Sequence, residues 1–331
     1  MRSLRRGLLA GVVLGFIVLI VIAWLADVRA IAGDLRSFRW GLAPLILAGT
    51  LFNYTLRFFK WHYYLGLVGG GRLSRGESAR LFVAGFPLAL SPGKVAEALK
   101  AVWLEQRAGV PVARALPVVA AERVSDGMAV LVLSSIGVLT YPRYWPGFAA
   151  LWAVLVGIVL VAQFPGIGLS IADRLESWRP AGRLARPLRE LLTGAYVLFR
   201  PRALLTAVSL GTVAWFGEGV SFFLILVGLG QPATTEVLAL AVFVLAFSTA
   251  VGAASTMPGG LGAAEASIAG MLSLVAGYPL DVAAAATLLV RFATLWFGVA
   301  LGLAAWARSP DLLGLTRSAA PLPATASDVE R

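Results

Sequence analysis

The sequence predicts an all-α polytopic membrane protein of six to eight transmembrane helices, two of them broken at Pro-Gly and re-entrant, arranged as an inverted repeat. Three observations predict it. Of the 331 residues, 59% are hydrophobic and only 14% are charged, with a mean hydropathy of +0.84; soluble domains do not reach this density. Apolar runs of the ~20 residues that a spanning helix needs recur along the chain. Lys and Arg gather on one alternate set of loops, as expected of cytoplasmic loops.

The first run, 7–26, follows Arg2, Arg5 and Arg6. It resembles a signal peptide, but it exceeds the roughly 7–15 apolar residues of a signal core, so it reads as a retained first helix. Further spanning helices are expected near 41–60, 115–140, 147–169, 203–229 and 282–307. Two more apolar stretches, 77–105 and 236–277, are interrupted by Pro92-Gly93 and Pro258-Gly259. Each is open to three readings: one kinked helix, two helices or a re-entrant hairpin. Broken backbone at membrane depth is tolerated only inside protein or along a cavity.

With the N-terminus inside and both broken stretches re-entrant, the cytoplasm receives Arg57 to Arg80, Lys94 to Arg114, Arg174 to Arg202, Arg308 and Arg317. The outside receives only Arg29, Arg36, Arg39 and Arg143. One integral membrane domain is expected over 1–310, with halves at about 41–170 and 200–308 joined by a basic cytoplasmic loop, 173–190. The small, polar residues 311–331 read as a disordered tail. The net charge of +11 fits such loops facing anionic lipid, and no nucleic-acid partner is expected.

The two broken stretches resemble each other. After its Pro-Gly each has a Glu (Glu97, Glu265), then Gly-X-Pro, then an Arg twelve residues past that Pro, Arg123 and Arg291. The predicted topology makes the copies antiparallel, the build of many transporters, whose sites lie at mid-depth between repeats. The half-helix N-termini after the breaks suit an anionic group such as a lipid phosphate, and Gly259, Gly260 and Gly262 give the second break its turn.

Charges inside apolar helices are the candidate substrate-binding and translocation residues, because each costs roughly 2.5–3.5 kcal/mol at a helix centre. Glu122 and Asp126 share a helix face, and Arg123 is spaced to pair with Asp126. Glu218 stands between two glycines in mid-span, close after Trp215. Arg291 calls for an intramembrane carboxylate, either Glu218 or Glu265. Lys94, Glu97 and Lys100 recur every three residues on one face. Asn53, Arg57, Lys60 and Trp61 read as a helix end with snorkelling cations and an aromatic belt, and His62 as interfacial.

Several chemistries are excluded. Cys is absent and His62 is the single His, so neither a thiolate or imidazole metal site nor a Ser-His relay is expected. No GxxxxGK[ST] segment occurs, hence no P-loop ATP site. No cofactor is expected.

Together "PGGLGAAE", "SPGKVAEALK" followed by "ERVSDG", Trp215 with Glu218, and Arg291 resemble the lysylphosphatidylglycerol synthase transmembrane family, the flippase-like integral membrane proteins, over about 7–307. One departure is Ala96, which stands where that family commonly has Gly. The resemblance implies a domain of the bacterial inner membrane that moves or holds a phospholipid or isoprenoid-linked lipid. It implies no aminoacyltransferase activity, since the soluble domain that carries it in the full synthases is not in these residues. Anionic lipids are the expected partners, with a separately encoded lipid-modifying enzyme and a second copy of the chain as further ones. The rival readings are a membrane-embedded lipid-modifying enzyme using Glu122, Asp126 or Glu265 as acid or base, and a non-catalytic partner of a lipid or glycan transferase.

Overall fold

The computed structural model describes residues 10–18, 20–21, 27–91, 96–140, 145–177 and 182–313. Helix is the only regular structure among them. Residues 10–18 form α1, followed by α2 (Val28–Ser37), α3 (Ala43–Leu67), α4 (Arg75–Ala84), α5 (Leu99–Ala108), α6 (Val112–Thr140) and α7 (Trp145–Gln163). Then come α8 (Gly166–Ser177), α9 (Gly182–Leu198), α10 (Pro201–Gly228), α11 (Thr235–Ala254), α12 (Ala263–Gly270), α13 (Leu280–Arg291) and α14 (Phe297–Ala307). The π-turn Phe292–Trp296 joins α13 to α14 without a break.

Local chemistry sets the boundaries. Asp27, Ser74 and Thr234 cap α2, α4 and α11 by accepting the N–H groups of Arg29, Glu77 and Val237. Pro44 and Pro201 open α3 and α10, where their missing N–H costs nothing. Gly109, in the left-handed region at φ 68°, ends α5.

Among the described residues, five helices are long and apolar enough to cross a membrane: Trp40–Leu67, Trp145–Gln163, Pro201–Gly228, Thr235–Ala254 and Leu280–Ala307. Their outer faces carry exposed Leu45, Val161 and Leu205. The helix α6 is as long, 29 residues, but bears Arg114, Glu122, Arg123 and Asp126. The antiparallel helices α3 and α10 lie very close because glycines line the contact. A Cβ on Gly49 would meet the Ser221 hydroxyl at 2.0 Å, and one on Gly217 would meet the Phe52 ring at 2.6 Å.

Two helix–break–helix hairpins stand at the centre. In the first, α4 leads into the tight turn Phe86–Leu90, and α5 returns after the break. Asp311 ties the two arms together at their outer ends, binding both Arg80 (2.6 Å) and Arg107. In the second, α11 turns at Pro258–Gly260 and α12 runs back along it, joined by a Ser248–Ser267 hydrogen bond of 2.9 Å. There Gly252 lies against Gly260 and Ala264. The helix that follows this hairpin, α13, packs on α2, where Ile31 meets Ala284 and Ala285. The two breaks meet: a Cβ on Gly259 would stand 3.0 Å from a Leu90 methyl.

Several sequence expectations need correction. The helix expected to stop at 60 continues to Leu67, so Arg57 and Lys60 are interior and not snorkelling; Lys60 has no exposed surface. The stretch 236–277 does break at Pro258–Gly260, between α11 and α12, and α11 before the turn is a full apolar helix of 20 residues. The basic loop expected over 173–190 contains helix on both sides, the end of α8 and the start of α9, with α9 packed on α6. Their apolar positions recur at helical spacing among the arginines, which composition alone hid. Of the expected tail, 311–313 belong to the turn Pro310–Leu313 that carries the Asp311 clasp, and 314–331 lie outside the described residues. The run 7–26 is helical over 10–18 and at 20–21, and the rest of it lies outside the described residues, as do Pro92, Gly93 and Lys94.

Candidate functional site

A cavity of about 480 Å³ lies where the breaks meet. Ala89 of the first hairpin and Gly259 and Gly260 of the second form part of its wall. From the surrounding helices come Tyr54 and Arg57 (α3), Lys100 (α5), Arg123 and Asp126 (α6), Trp215 and Glu218 (α10) and Arg291 (α13). Glu97, in the turn just before α5, also faces it. On one side Leu151 and Leu155 of α7 close it. The opposite face of α7 is outward, with Val154 and Val161 exposed.

The α6 segment Glu122–Asp126 distributes charge to three neighbours. Glu122 receives Lys100 at 3.1 Å, and Arg123 meets Glu97 at 3.2 Å. Asp126 receives both Arg57, at 3.0 Å, and Lys60, at 2.5 Å. Arg123 therefore does not pair with Asp126: the one-turn spacing allows that contact, but each side chain has a better-placed partner on another element. Glu97 and Lys100 are buried, not part of a solvated face. Trp215 donates its indole N–H to Asp126 at 3.4 Å. Its ring lies 5.5 Å below the Arg57 guanidinium, and the Trp61 ring lies 5.0 Å from the Lys100 ammonium. Such stacking is worth up to about 2 kcal/mol when desolvated.

The second break is built from backbone conformations that favour glycine. Gly259, Gly260 and Gly262 have φ of 61°, 70° and 83°. At Gly260 the crowding is severe as well, because a Cβ there would lie 3.1 Å from the Gly252 Cα. Arg291 chooses Glu265, not Glu218, at 2.5 Å. It also donates to the Gly259 carbonyl at 2.9 Å. Glu265 accepts the Gly262 N–H at 2.7 Å. The start of α12 thus holds a carboxylate of its own, and the anion expected there is supplied by the protein.

Of the expected site residues, Glu97, Lys100, Arg123, Asp126, Trp215, Glu218, Gly259, Gly260 and Arg291 line the cavity. Glu122 and Glu265 stand behind it, reached through Lys100 and Arg291. Gly262 belongs to the cap of α12 and is not in the lining. Tyr54, Arg57 and Lys60 were missed. The available signal was the apolar run Tyr63–Leu67, which carries the helix two turns past Lys60. His62 bonds Ser78 at 3.0 Å and is not in the lining.

Among the described residues, no group of three or more His, Cys, Asp or Glu is placed to hold a metal ion. Every carboxylate named here except Glu218 has a cation within ion-pair distance. Glu218 is 4% exposed, faces the cavity, and has no hydrogen-bond or ion-pair partner among the described residues.

A sequence model described as "Lysylphosphatidylglycerol synthase TM region" matches residues 9–302. The chain is also 28% identical over 193 residues to a "UPF0104 membrane protein" of Methanothermobacter thermautotrophicus. That match takes in 53% of this chain and 56% of the relative, so the chain spans about half the length of the curated protein it matches. No solved structure matches it.

Proposed function

Because the chain belongs to the lysylphosphatidylglycerol synthase TM region family, we propose that it is a flippase-like protein that takes a lipid with an anionic headgroup between the leaflets of the inner membrane. The observation that carries this reading is the cavity itself, walled by both helix breaks and by the guanidinium groups of Arg57 and Arg291. A headgroup phosphate has two bidentate donors there, in surroundings where charge-assisted bonds are strong. The apolar wall of Leu151 and Leu155 suits the start of an acyl or isoprenoid chain.

In this reading the two hairpins are re-entrant and form the inverted repeat. The Asp311 clasp joins the outer ends of the first hairpin, and the second is followed by α13, which packs on α2 on the opposite face. The headgroup then crosses at the level of Leu90 and Gly259, where the hairpins touch, and access alternates between the two faces. Both N-terminus and the α8–α9 segment are cytoplasmic in this arrangement, in line with their arginines.

The test uses the protein in proteoliposomes containing headgroup-labelled phosphatidylglycerol, with a membrane-impermeant quencher reading the outer leaflet. Movement faster than in protein-free vesicles is expected. Arg57→Gln is expected to abolish it while the protein stays folded, because Asp126 keeps Lys60. No movement of phosphatidylglycerol or of a polyprenyl phosphate above empty vesicles would overturn the reading.

A further inference from the structure

We propose that Glu218 is the proton-carrying residue of this cavity, so that binding of an anionic headgroup at Arg57 and Arg291 takes up one proton from water onto a Glu218 carboxylate oxygen, and release returns it. The inference rests on the headgroup reading above and adds to it a coupled ion.

Charge matching in the cavity leads there. Among the described residues, Arg123, Lys100 and Arg291 match Glu97, Glu122 and Glu265, but Asp126 has two cations, Arg57 and Lys60. One positive charge is thus left over, and Glu218 is the carboxylate that offsets it from a distance. It sits ten residues before the end of α10 at Gly228, about 15 Å into the helix at 1.5 Å per residue. No donor among the described residues touches it, so no hydrogen bond holds it in the ionised form.

The groups that act on Glu218 come from three helices: Tyr54 and Arg57 of α3, Asp126 of α6 and Arg291 of α13. The other elements packed on α10, namely α9, α11 and the Trp40–Leu42 turn, supply no charge that acts on it. A phosphate monoanion seated between Arg57 and Arg291 takes over the charge that Glu218 offset. It also sets a second negative group beside a buried carboxylate, and like charges at such range cannot both stay ionised at low cost. Protonation of Glu218 restores the balance. None of the other four carboxylates suits this role, since protonating any of them removes the charge that an ion-paired cation already faces. A proton moving with each lipid is the coupled ion that movement against a gradient requires.

The experiment is calorimetric titration of the purified protein with dioctanoyl phosphatidylglycerol in buffers of different protonation enthalpy, which counts protons. About one proton taken up per lipid is expected, with affinity falling about tenfold per pH unit where the free protein holds Glu218 ionised. Zwitterionic dioctanoyl phosphatidylcholine should take up none. Glu218→Gln should bind phosphatidylglycerol with no proton uptake and with a flat pH profile. Binding by the native protein without proton uptake, or equal uptake by native and Glu218→Gln protein, would overturn the coupling and leave the headgroup site intact. Absence of binding by the native protein would overturn both. The proton count of the native protein decides the matter even where the variant does not fold.

Discussion

The two helix breaks meet at one point but are held in different ways. The second is fastened at its own turn: Glu265 caps Gly262, and Arg291 of the following helix, α13, grips both Glu265 and the Gly259 carbonyl. The first is held by its neighbours. Its charges, Glu97 and Lys100, reach across to α6. The Ser91 hydroxyl bridges the gap, donating to the Leu88 carbonyl and accepting the Ala96 N–H. A turn gripped through its own backbone carbonyl and cap carboxylate follows α13, whereas a break tied through Glu97 and Lys100 moves with α6. If the cavity opens in turn to its two sides, the first hairpin is the one coupled to the charges lining it.

Perturbing each break tests that contrast. Arg291→Gln strands Glu265, which is fully buried, and should cost about 3–5 kcal/mol, the largest loss here. Thermal unfolding in detergent measures it, and Arg291→Met with Glu265→Leu should recover part of the loss. Gly260→Ala should cost about 2–3 kcal/mol by the same measurement, from the left-handed backbone and the contact with Gly252 together. Gly109→Ala, at a similar φ but with open space around it, should cost less, about 1–2 kcal/mol. In the first break, Ser91→Ala should cost about 1–2 kcal/mol. It should also raise amide exchange at Ala96 more than at Gly262; equal exchange at both would remove the contrast.

The smallest effect lies at the outer ends of the hairpins. The arms of the first are clasped by unlike charges at Asp311, but beyond the second Asp34 of α2 faces Asp281 of α13. Burial, and then the Asp281 charge, push the Asp34 carboxyl above the usual carboxylate range. A carboxyl raised in the folded state binds its proton more tightly there than in the unfolded chain. It therefore opposes folding as pH rises through that range and ceases to do so on acidification. Asp34→Asn should be neutral or slightly stabilising at pH 7, with a shallower pH dependence of the melting temperature.

Much of this was legible in the sequence, for physical reasons. Pro and Gly inside apolar runs marked both breaks, and the rarity of charge in such runs marked six residues of the cavity lining: Glu97, Lys100, Arg123, Asp126, Glu218 and Arg291. The residues that were missed share one cause. Arg57 and Lys60 stand near aromatic residues in a run of mixed polarity, and such a run looks the same whether it ends at an interface or continues inside. Only their partner on α6, about 65 residues away in sequence by hydrogen-bonded separation, distinguishes the two. The helices α8 and α9 were hidden by their arginines, because the charge that reads as a loop also covers the outer face of an amphipathic helix. Partner choice at Arg123 and Arg291 was open because spacing permits several pairs and only packing selects among them.

The Asp311 clasp also has a consequence in time. Arg80 and Arg107 wait for a carboxylate that follows them by 231 and 204 residues. A ribosome working at roughly 5–20 residues per second delivers it some ten to fifty seconds later. The first hairpin is thus synthesised early and fastened late, and until Asp311 emerges its two outer arginines lack this carboxylate.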